Sequence, residues 1–402
     1  MNTAQKELIK ATIPILRTGG EALTAHFYDR MFRHSPELKE VFNMGNQANG
    51  KQKMALANAV LAYAENIENP EVLINVLKGI GSKHTSLNIK PEHYKIVGTH
   101  LIASIEEVIG HLATSEILEA WTIAYNQLAA IMINLEENIY QENKQKSGGW
   151  IGWRKFIIKK IVEESTEIKS FYLYPEDGKS VADYNPGQFV SVQVYVPELD
   201  LLQPRQYSLS SAHNSDHYRI SVKKESSIND NPAGIVSNTL HSKLEGDSVM
   251  LSSPAGIFFH NKESNEPIVL ISGGIGITPM LSILETNKIK VEKSKTVWIH
   301  SCRNQSVQAF NNDVETIDKD ADWLRTFVFY EDIEESELRE NVIKGRIDLE
   351  ICKDSILLDK ARYYICGPEL FIKAQYNSLL NLNVDKENIF YEEFSPGLIN
   401  LN

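Results

Sequence analysis

The sequence predicts three folded units of three different classes: an all-α domain, then an antiparallel β-barrel, then an α/β domain on a parallel sheet. Three observations carry this. From residue 4 to about 145, apolar residues recur every three to four positions, the buried stripe of an amphipathic helix. After Trp153 the period drops to two, in short runs of β-branched and aromatic residues separated by turn residues. From about Pro267, fully apolar strand-length runs alternate with helical ones, as buried parallel strands with helical crossovers require.

A chain of 402 residues exceeds what one hydrophobic core normally organises, so several domains are expected. With 42% hydrophobic and 23% charged residues the composition is globular, neither disordered nor fibrous. The net charge of -12 argues against a nucleic-acid partner, which selects a basic face. Cys302, Cys352 and Cys366 form no CxxC spacing, and so sparse an odd set predicts no disulfide framework. The N-terminal MNTAQKELIKATIPIL carries charges inside an amphipathic pattern and lacks the apolar core of a signal peptide. The longest apolar run, VLISGGIGITPML, is short and glycine-rich, so no obligatory membrane association is expected. The expectation is a cytoplasmic protein and, with no coiled-coil repeat to force assembly, a monomer.

The first unit is expected over residues 1–146. LTAHFYDRMF, KQKMALANAVLAYAENI, HYKIVGTHLIASIEEVIG and SEILEAWTIAYNQLAAIMINLEENIYQ all keep the helical period. Breaks are expected at Thr18-Gly19-Gly20, Ser35-Pro36, Gly45 to Gly50, Asn69-Pro70, Asn88 to Pro91 and Gly110 to Ser115, giving six or seven helices. Pro36, Pro70 and Pro91 suit a first helical turn. Lys146-Ser147-Gly148-Gly149 reads as a flexible joint, followed by Trp150 and Trp153 as packing anchors. The second unit, 150–262, holds strands in RKFIIKKIVEES, IKSFYLYPE, GQFVSVQVYV, RQYSLSS and YRISVKKE. The third, 265–402, runs strand IVLISGG, helix PMLSILETNK, strands KTVWIHSC, LRTFVFYE and RYYICG, a helix over Glu369 to Leu382, and strand NIFYEEF.

Among six histidines in the helical unit, His84 stands out locally: it ends the helical run VLINVLKGIGSKH just before a loop and Pro91. An iron ligand needs such a fixed imidazole, its other nitrogen held by a second group. Tyr28 and Gln52 are polar residues inside apolar-periodic helices; each either finds a buried partner or faces solvent. Arg205-Gln206-Tyr207-Ser208 ends a strand with a phosphate-pairing guanidinium, a stacking ring and a hydroxyl, though RxYS alone is a short motif. Gly234-x-Val236-Ser237-Asn238 opens a helix whose backbone amides suit a pyrophosphate, or it is an ordinary capped helix started by Asn231 and Pro232. Gly273-Gly274-Ile275-Gly276-Ile277-Thr278-Pro279-Met280 joins an apolar strand to a helix, the context in which glycines let a backbone approach a pyrophosphate. It departs from GxGxxG, and no acid is clearly placed for a ribose. Cys366-Gly367-Pro368 closes another apolar strand; a lone cysteine there is ordinarily a small buried hydrophobe.

In order and over essentially the whole chain, these motifs resemble the bacterial flavohaemoglobins: a globin domain fused to a ferredoxin-reductase-like FAD and NAD(P) module. LTAHFYDRMF, PELKEVFNM, GSKHTSLNIKPEHYKIVG and the Ile-Asn-x-Glu segment carry the globin likeness. The resemblance implies haem b with His84 as the proximal iron (metal) ligand and Tyr94 and Glu136 as its hydrogen-bond set. It implies Tyr28 as the distal donor to dioxygen, with Phe42, Gln52 and Leu56 lining the haem pocket. On the reductase side, Tyr184-x-Pro186-Gly187-Gln188-Phe189 joins the motifs above. The likeness places Gln188, Phe189, Arg205, Gln206, Tyr207, Ser208, Lys223, Gly234, Val236 and Ser237 at FAD. It places Gly273, Gly274, Gly276, Thr278, Pro279, Met280, Cys366, Gly367 and Pro368 at NADH or NADPH, and Glu392 and Phe394 near the flavin. Glu393 and Ser395 stand where the family commonly has cysteine and glycine. Ser301 and Arg303 resemble the pair with which NADPH-using reductases hold a phosphate, while flavohaemoglobins mostly look like NADH enzymes; NADH is expected to be preferred, with NADPH also used. The activity implied is nitric oxide dioxygenase, in which NAD(P)H reduces FAD, FAD reduces haem iron, and the ferrous-oxy haem turns nitric oxide and dioxygen into nitrate, a detoxification. A haem and flavin reductase or alkylhydroperoxide-type reductase with a redox-sensing role would use the same cofactors.

Overall fold

The computed structural model describes residues 1–48, 50–227, 233–319 and 321–394. Asn231, Pro232, Ser395 and Pro396 lie outside these.

Helices α1 (Thr3–Ala11), α2 (Ile13–His34), α3 (Met44–Ala48), α4 (Lys51–Glu65), α5 (Ile74–Ser86), α6 (Pro91–Ile109) and α7 (Ser115–Gln145) form the first unit, with no strand among its described residues. Asn2 and Gln5 make a capping box on α1, the Thr114 hydroxyl caps α7, and Pro91 opens α6. Helix α2 packs between α4 and α6, burying Phe27, Tyr28 and Met31, while α5 lies along α7. The break expected at Thr18-Gly19-Gly20 is absent: α2 runs through it. A Cβ on Gly20 would sit 3.5 Å from the Ala57 Cβ of α4, an ordinary contact, so the helix neither ends at this glycine nor requires it there. The break falls instead at Thr12, with Pro14 in the first turn of α2.

The second unit is a curled antiparallel sheet. Strands β1 (Arg154–Glu163), β2 (Ile168–Pro175), β3 (Phe189–Val196), β4 (Leu201–Ser208), β5 (Tyr218–Lys223) and β6 (Ser248–Leu251) run in the order β4-β3-β6-β1-β2-β5. A bridge between Leu209 and Ile220 links the two outer strands and draws the sheet toward a barrel. Phe156, Phe171, Val190 and Tyr218 fill the interior, and α8 (Ile235–His241) covers one end. Trp150 packs on this core, 5.8 Å from the Phe156 ring, with its indole donating to the Leu251 carbonyl at 3.3 Å, the anchor its position suggested.

The third unit comprises β7 (Ile268–Gly273), α9 (Ile277–Ile289), β8 (Thr296–Cys302), α10 (Asn311–Asp318), β9 (Leu324–Tyr330), β10 (Val342–Lys344), α11 (Leu349–Ile356), β11 (Arg362–Cys366), α12 (Glu369–Asn381) and β12 (Ile389–Glu392). All six strands are parallel, in the order β10-β9-β8-β7-β11-β12. Both faces are covered: Leu270 and Trp298 pack on one side, Ile271 and Ile299 on the other. The strand order reverses between β7 and β11. A crevice opens at such a point beyond the carboxyl ends of the strands, where doubly wound sheets hold ligands.

Candidate functional sites

In the helical unit, α5 delivers His84, α6 Tyr94 and α7 Glu136. The His84 Nδ1 lies 2.8 Å from the Glu136 carboxylate and 3.1 Å from the Tyr94 hydroxyl, and that hydroxyl donates to the same carboxylate oxygen at 2.5 Å. Glu136 is 3% exposed whereas the His84 side chain is 33% exposed. Burial and the Glu136 charge push the Tyr94 phenol up, so it stays a donor. Tyr125 donates to the Tyr94 carbonyl at 2.6 Å and Tyr140 to the Ile89 carbonyl at 2.6 Å, bracing the turn that follows His84. Gly98 admits the Tyr125 ring, which a Cβ would meet at 2.4 Å. The imidazole is therefore fixed through Nδ1; among the described residues no hydrogen bond engages Nε2.

Tyr28 is buried on α2, its ring 5.8 Å from that of Phe42. Burial pushes its phenol up, against the pull of Gln47 and Gln52 beside it. Both side chains approach the phenol, but the Gln47 amide and the Gln52 Oε1 are buried without a well-aligned hydrogen bond among the described residues. Unpaired amides in an apolar interior are costly, and a polar ligand beside Tyr28 would relieve them. Phe42, Leu56 and Val60 pack on the helical core yet remain only partly buried, which suits an apolar planar group such as haem.

On the barrel, Arg205, Gln206, Tyr207 and Ser208 end β4. Arg205 donates to the Phe394 carbonyl at 3.0 Å, and Gln206 to the Ser191 hydroxyl at 3.0 Å. The Ser208 hydroxyl is buried without a partner among the described residues, which fits the polar edge of a flavin. Gln188 accepts from the Asn185 amide at 2.9 Å and donates to the Gly256 carbonyl at 3.1 Å, fastening the loop before Phe189. Val236 belongs to the barrel core, and Ser237 donates back to the Gly234 carbonyl at 3.1 Å. Lys223 sits between Glu167 and Glu225, 4.0 and 3.6 Å away.

In the third unit the two glycine motifs flank the reversal of strand order. Gly273 ends β7, Gly274 turns with φ +55, and Gly276 leads into α9. A Cβ on Gly276 would lie 2.2 Å from the Cys366 carbonyl oxygen, so the two strand ends approach as only glycine allows. Thr278, Pro279 and Met280 are buried in the first turn of α9, and the Thr278 hydroxyl donates to the Ile275 carbonyl at 3.1 Å. Cys366 and Gly367 are buried and Pro368 caps α12. Burial pushes the Cys366 thiol well up; it is a small neutral group, not a nucleophile.

The three units meet at residues that no local sequence pattern pairs. Lys83 of α5, Arg205 of β4 and Glu392 of β12 are near enough to feel one another's charge: burial pushes the Glu392 carboxyl up to about 8 against the pull of Lys83, and burial with Arg205 lowers Lys83. Ser86 of α5 accepts from Ser191 of β3 at 2.8 Å, Ser82 accepts from the Gly256 amide at 2.7 Å, and Ser86 donates to the Lys83 carbonyl at 2.7 Å. Ser86 and Ser191 are 105 positions apart, and no local pattern pairs them. Arg303, just past β8, is ion-paired with Glu167 of the barrel.

A helical unit with a braced imidazole, docked on a curled sheet and a switch-point crevice, defines a class: an oxidoreductase with a globin joined to a flavin- and nucleotide-type module. Family models agree in order: Globin matches residues 25–132, the oxidoreductase FAD-binding domain 155–260, and the oxidoreductase NAD-binding domain 270–376. Flavohemoproteins of Rhizobium meliloti and Bordetella pertussis are each 46% identical over 396 residues, covering 98% of this chain and 98% of theirs. The crystal structure of a Malassezia yamatoensis flavohemoglobin with bound FAD and heme superposes with a TM-score of 0.85 at 26% identity, covering 98% of this chain and 99% of that one. The FAD/NAD-binding domain of a Vibrio cholerae nitric oxide dioxygenase is 37% identical, with a TM-score of 0.53, over 60% of this chain and 99% of its own. The chain belongs to the flavohemoprotein family. No helix among the described residues is long and apolar enough to cross a membrane.

Proposed function

We propose that this oxidoreductase is a nitric oxide dioxygenase that holds haem b on residues 1–146 and FAD on 150–262, and draws hydride from NADH or NADPH on 265–402. When bound, the flavin would divide a two-electron hydride into single electrons and the haem iron would take them up to join dioxygen with nitric oxide. Written in full, two nitric oxide, two dioxygen and one NAD(P)H give two nitrate, NAD(P)+ and a proton.

The observation that carries this reading is the His84, Glu136 and Tyr94 set. A carboxylate accepting from Nδ1 draws the imidazole toward imidazolate and makes Nε2 a stronger donor to a metal. With haem held there, that would favour chemistry that builds negative charge on a bound ligand more than simple oxygen storage. Tyr28, kept protonated by burial, is the hydroxyl that donates to such a ligand, with Gln52 steering it and Phe42 and Leu56 keeping the pocket apolar. Arg205, Gln206, Tyr207, Ser208 and Ser237 hold the flavin, with Gln188, Phe189, Gly234 and Val236 shaping its bed and Lys223 beside it. Gly273, Gly274, Gly276, Thr278, Pro279 and Met280 receive the pyrophosphate side of the nucleotide, Cys366, Gly367 and Pro368 its nicotinamide side, and Glu392 and Phe394 close the flavin. The testing experiment follows nitric oxide with an electrode and NADH by absorbance in air-saturated buffer. Two nitric oxide consumed and two nitrate formed per NADH is the expected result; NADH oxidation indifferent to nitric oxide would overturn the proposal.

A further inference from the structure

We propose that Glu167 selects against the 2′-phosphate of NADPH by holding Arg303, so that the adenosine end of the nucleotide site accepts NADH. This rests on the nucleotide reading of the third unit. Strand β8 lies beside β7, with Ser301 paired to Gly273, the last strand residue before the glycine turn. A nucleotide whose pyrophosphate sits on that turn runs its adenosine ribose past the carboxyl end of the neighbouring strand. Arg303 stands there as the first cation beyond β8, its side chain 59% exposed. Its guanidinium is ion-paired with the Glu167 carboxylate.

Glu167 is held firmly for a surface acid. Its carbonyl accepts from the Lys224 amide at 2.8 Å, its own amide donates to the Ser165 hydroxyl at 3.4 Å, and its second carboxylate oxygen lies 4.0 Å from Lys223. The adjoining Thr166 donates through both its amide and its hydroxyl to the Ser306 carbonyl, at 3.1 and 3.0 Å. The barrel therefore presses a fixed negative charge against Arg303 at the ribose end. A 2′-phosphate arriving there meets a guanidinium already neutralised and a carboxylate that repels it, while the bare 2′-hydroxyl of NADH meets an acceptor. Further acids line the neighbouring loop: Glu331 and Asp332 follow β9, their amides bonded to the Cys302 and Arg303 carbonyls at 3.3 and 2.8 Å. Removing the Glu167 charge frees Arg303 for a phosphate.

The test uses the purified full chain and compares kcat/KM for flavin reduction by NADPH and by NADH in the parent, Glu167→Gln and the double variant Glu167→Gln/Arg303→Ala. Calorimetric binding of 2′,5′-ADP against 5′-AMP supplies a readout free of turnover. The parent should favour NADH and bind 5′-AMP at least as well as 2′,5′-ADP. Glu167→Gln should raise the NADPH-to-NADH ratio and the relative affinity for 2′,5′-ADP by roughly tenfold, the size of one charge-assisted contact, and the double variant should lose both gains. An unchanged ratio in Glu167→Gln with NADH still reducing the flavin overturns the inference alone. A parent whose flavin neither nucleotide reduces overturns the nucleotide reading with it.

Discussion

At the residue scale, the carboxylate behind His84 decides what the helical unit can do. Glu136 is buried and makes two hydrogen bonds through one oxygen, one from Tyr94 and one with the imidazole. Replacing it by glutamine keeps the shape and removes the charge, so the imidazole becomes a poorer donor. Resonance Raman spectra of the ferrous Glu136→Gln protein should show the iron–histidine band at lower frequency, and His84→Ala should show no such band; a band unmoved in both would contradict the assignment. On the opposite side, Tyr28→Phe removes a hydroxyl whose bond to a partly charged ligand is worth roughly 1.5–3 kcal/mol. Dioxygen dissociation followed by stopped flow should then quicken at least about tenfold, and an unchanged rate would remove Tyr28 from its role. Much of this set was legible because each residue sits in a matched local run: His84 after a helical pattern, Tyr28 inside one. Gln47 was not, since a glutamine in the short stretch between Phe42 and Gly50 gives no periodicity from which burial could be read. Lys83 was not, since a lysine on an amphipathic helix ordinarily points to water; here burial at the junction of the units lowers its pKa.

At the scale of elements, long periodic helices and apolar strands could be read from sequence, whereas elements defined by distant partners could not. Strand β6, Ser248–Leu251, and strand β10, Val342–Lys344, are too short to carry a period. Each exists because a neighbour offers a free edge: β6 slots between β1 and β3, and β10 extends the parallel sheet beside β9. The glycines of α2 misled for the converse reason: packing on α4 and α6 carries the helix through residues that locally favour a break. Gly276 is a sharper case, legible as a turn but not as a contact with β11. Gly276→Ala forces a Cβ against the Cys366 backbone, an overpacking that costs ~1–3 kcal/mol. Its urea midpoint should fall and its affinity for NADH should drop with it; unaltered values for both would deny that the two strand ends meet as described. Two buried histidines, His260 at the end of the barrel unit and His300 on β8, add a pH dependence. Burial, with Lys290 and Arg362 nearby and Glu266 opposing, lowers the His260 pKa to about 4, and burial lowers His300 to about 4. Both are neutral in the fold and bind protons more readily when unfolded, so their contribution is present above about pH 6.5 and is lost as the pH falls toward 4. Urea midpoints measured near pH 7 and near pH 5 should drop more in the parent than in His260→Gln, and equal drops would contradict the assignment.

At the scale of the whole molecule, the units are joined by a buried polar seam rather than by the Lys146–Gly149 linker alone. The Gln206 amide, the Ser191 hydroxyl, the Ser86 hydroxyl and the Lys83 carbonyl form a directed chain that ends on the residue preceding His84. Removing the central hydroxyl leaves buried polar groups unpaired, at about 1–3 kcal/mol. Ser191→Ala should therefore lower the urea midpoint of the intact chain while an exposed control such as Ser336→Ala does not; equal behaviour would mean the seam carries no load. The order of the three units was readable because each has its own hydrophobic period, but their docking was not, because it is made by serines and a glutamine whose spacing along the chain is arbitrary. That docking puts the α5 helix of His84 against the flavin-type barrel, and the central claim is that electrons cross there. An absorption spectrum of the purified protein before and after anaerobic NADH tests it most directly. The account predicts haem and flavin bands together in the resting protein, with NADH bleaching the flavin band and shifting the haem band to its ferrous position. A protein lacking either band, or one whose flavin bleaches while its haem stays ferric, would contradict it.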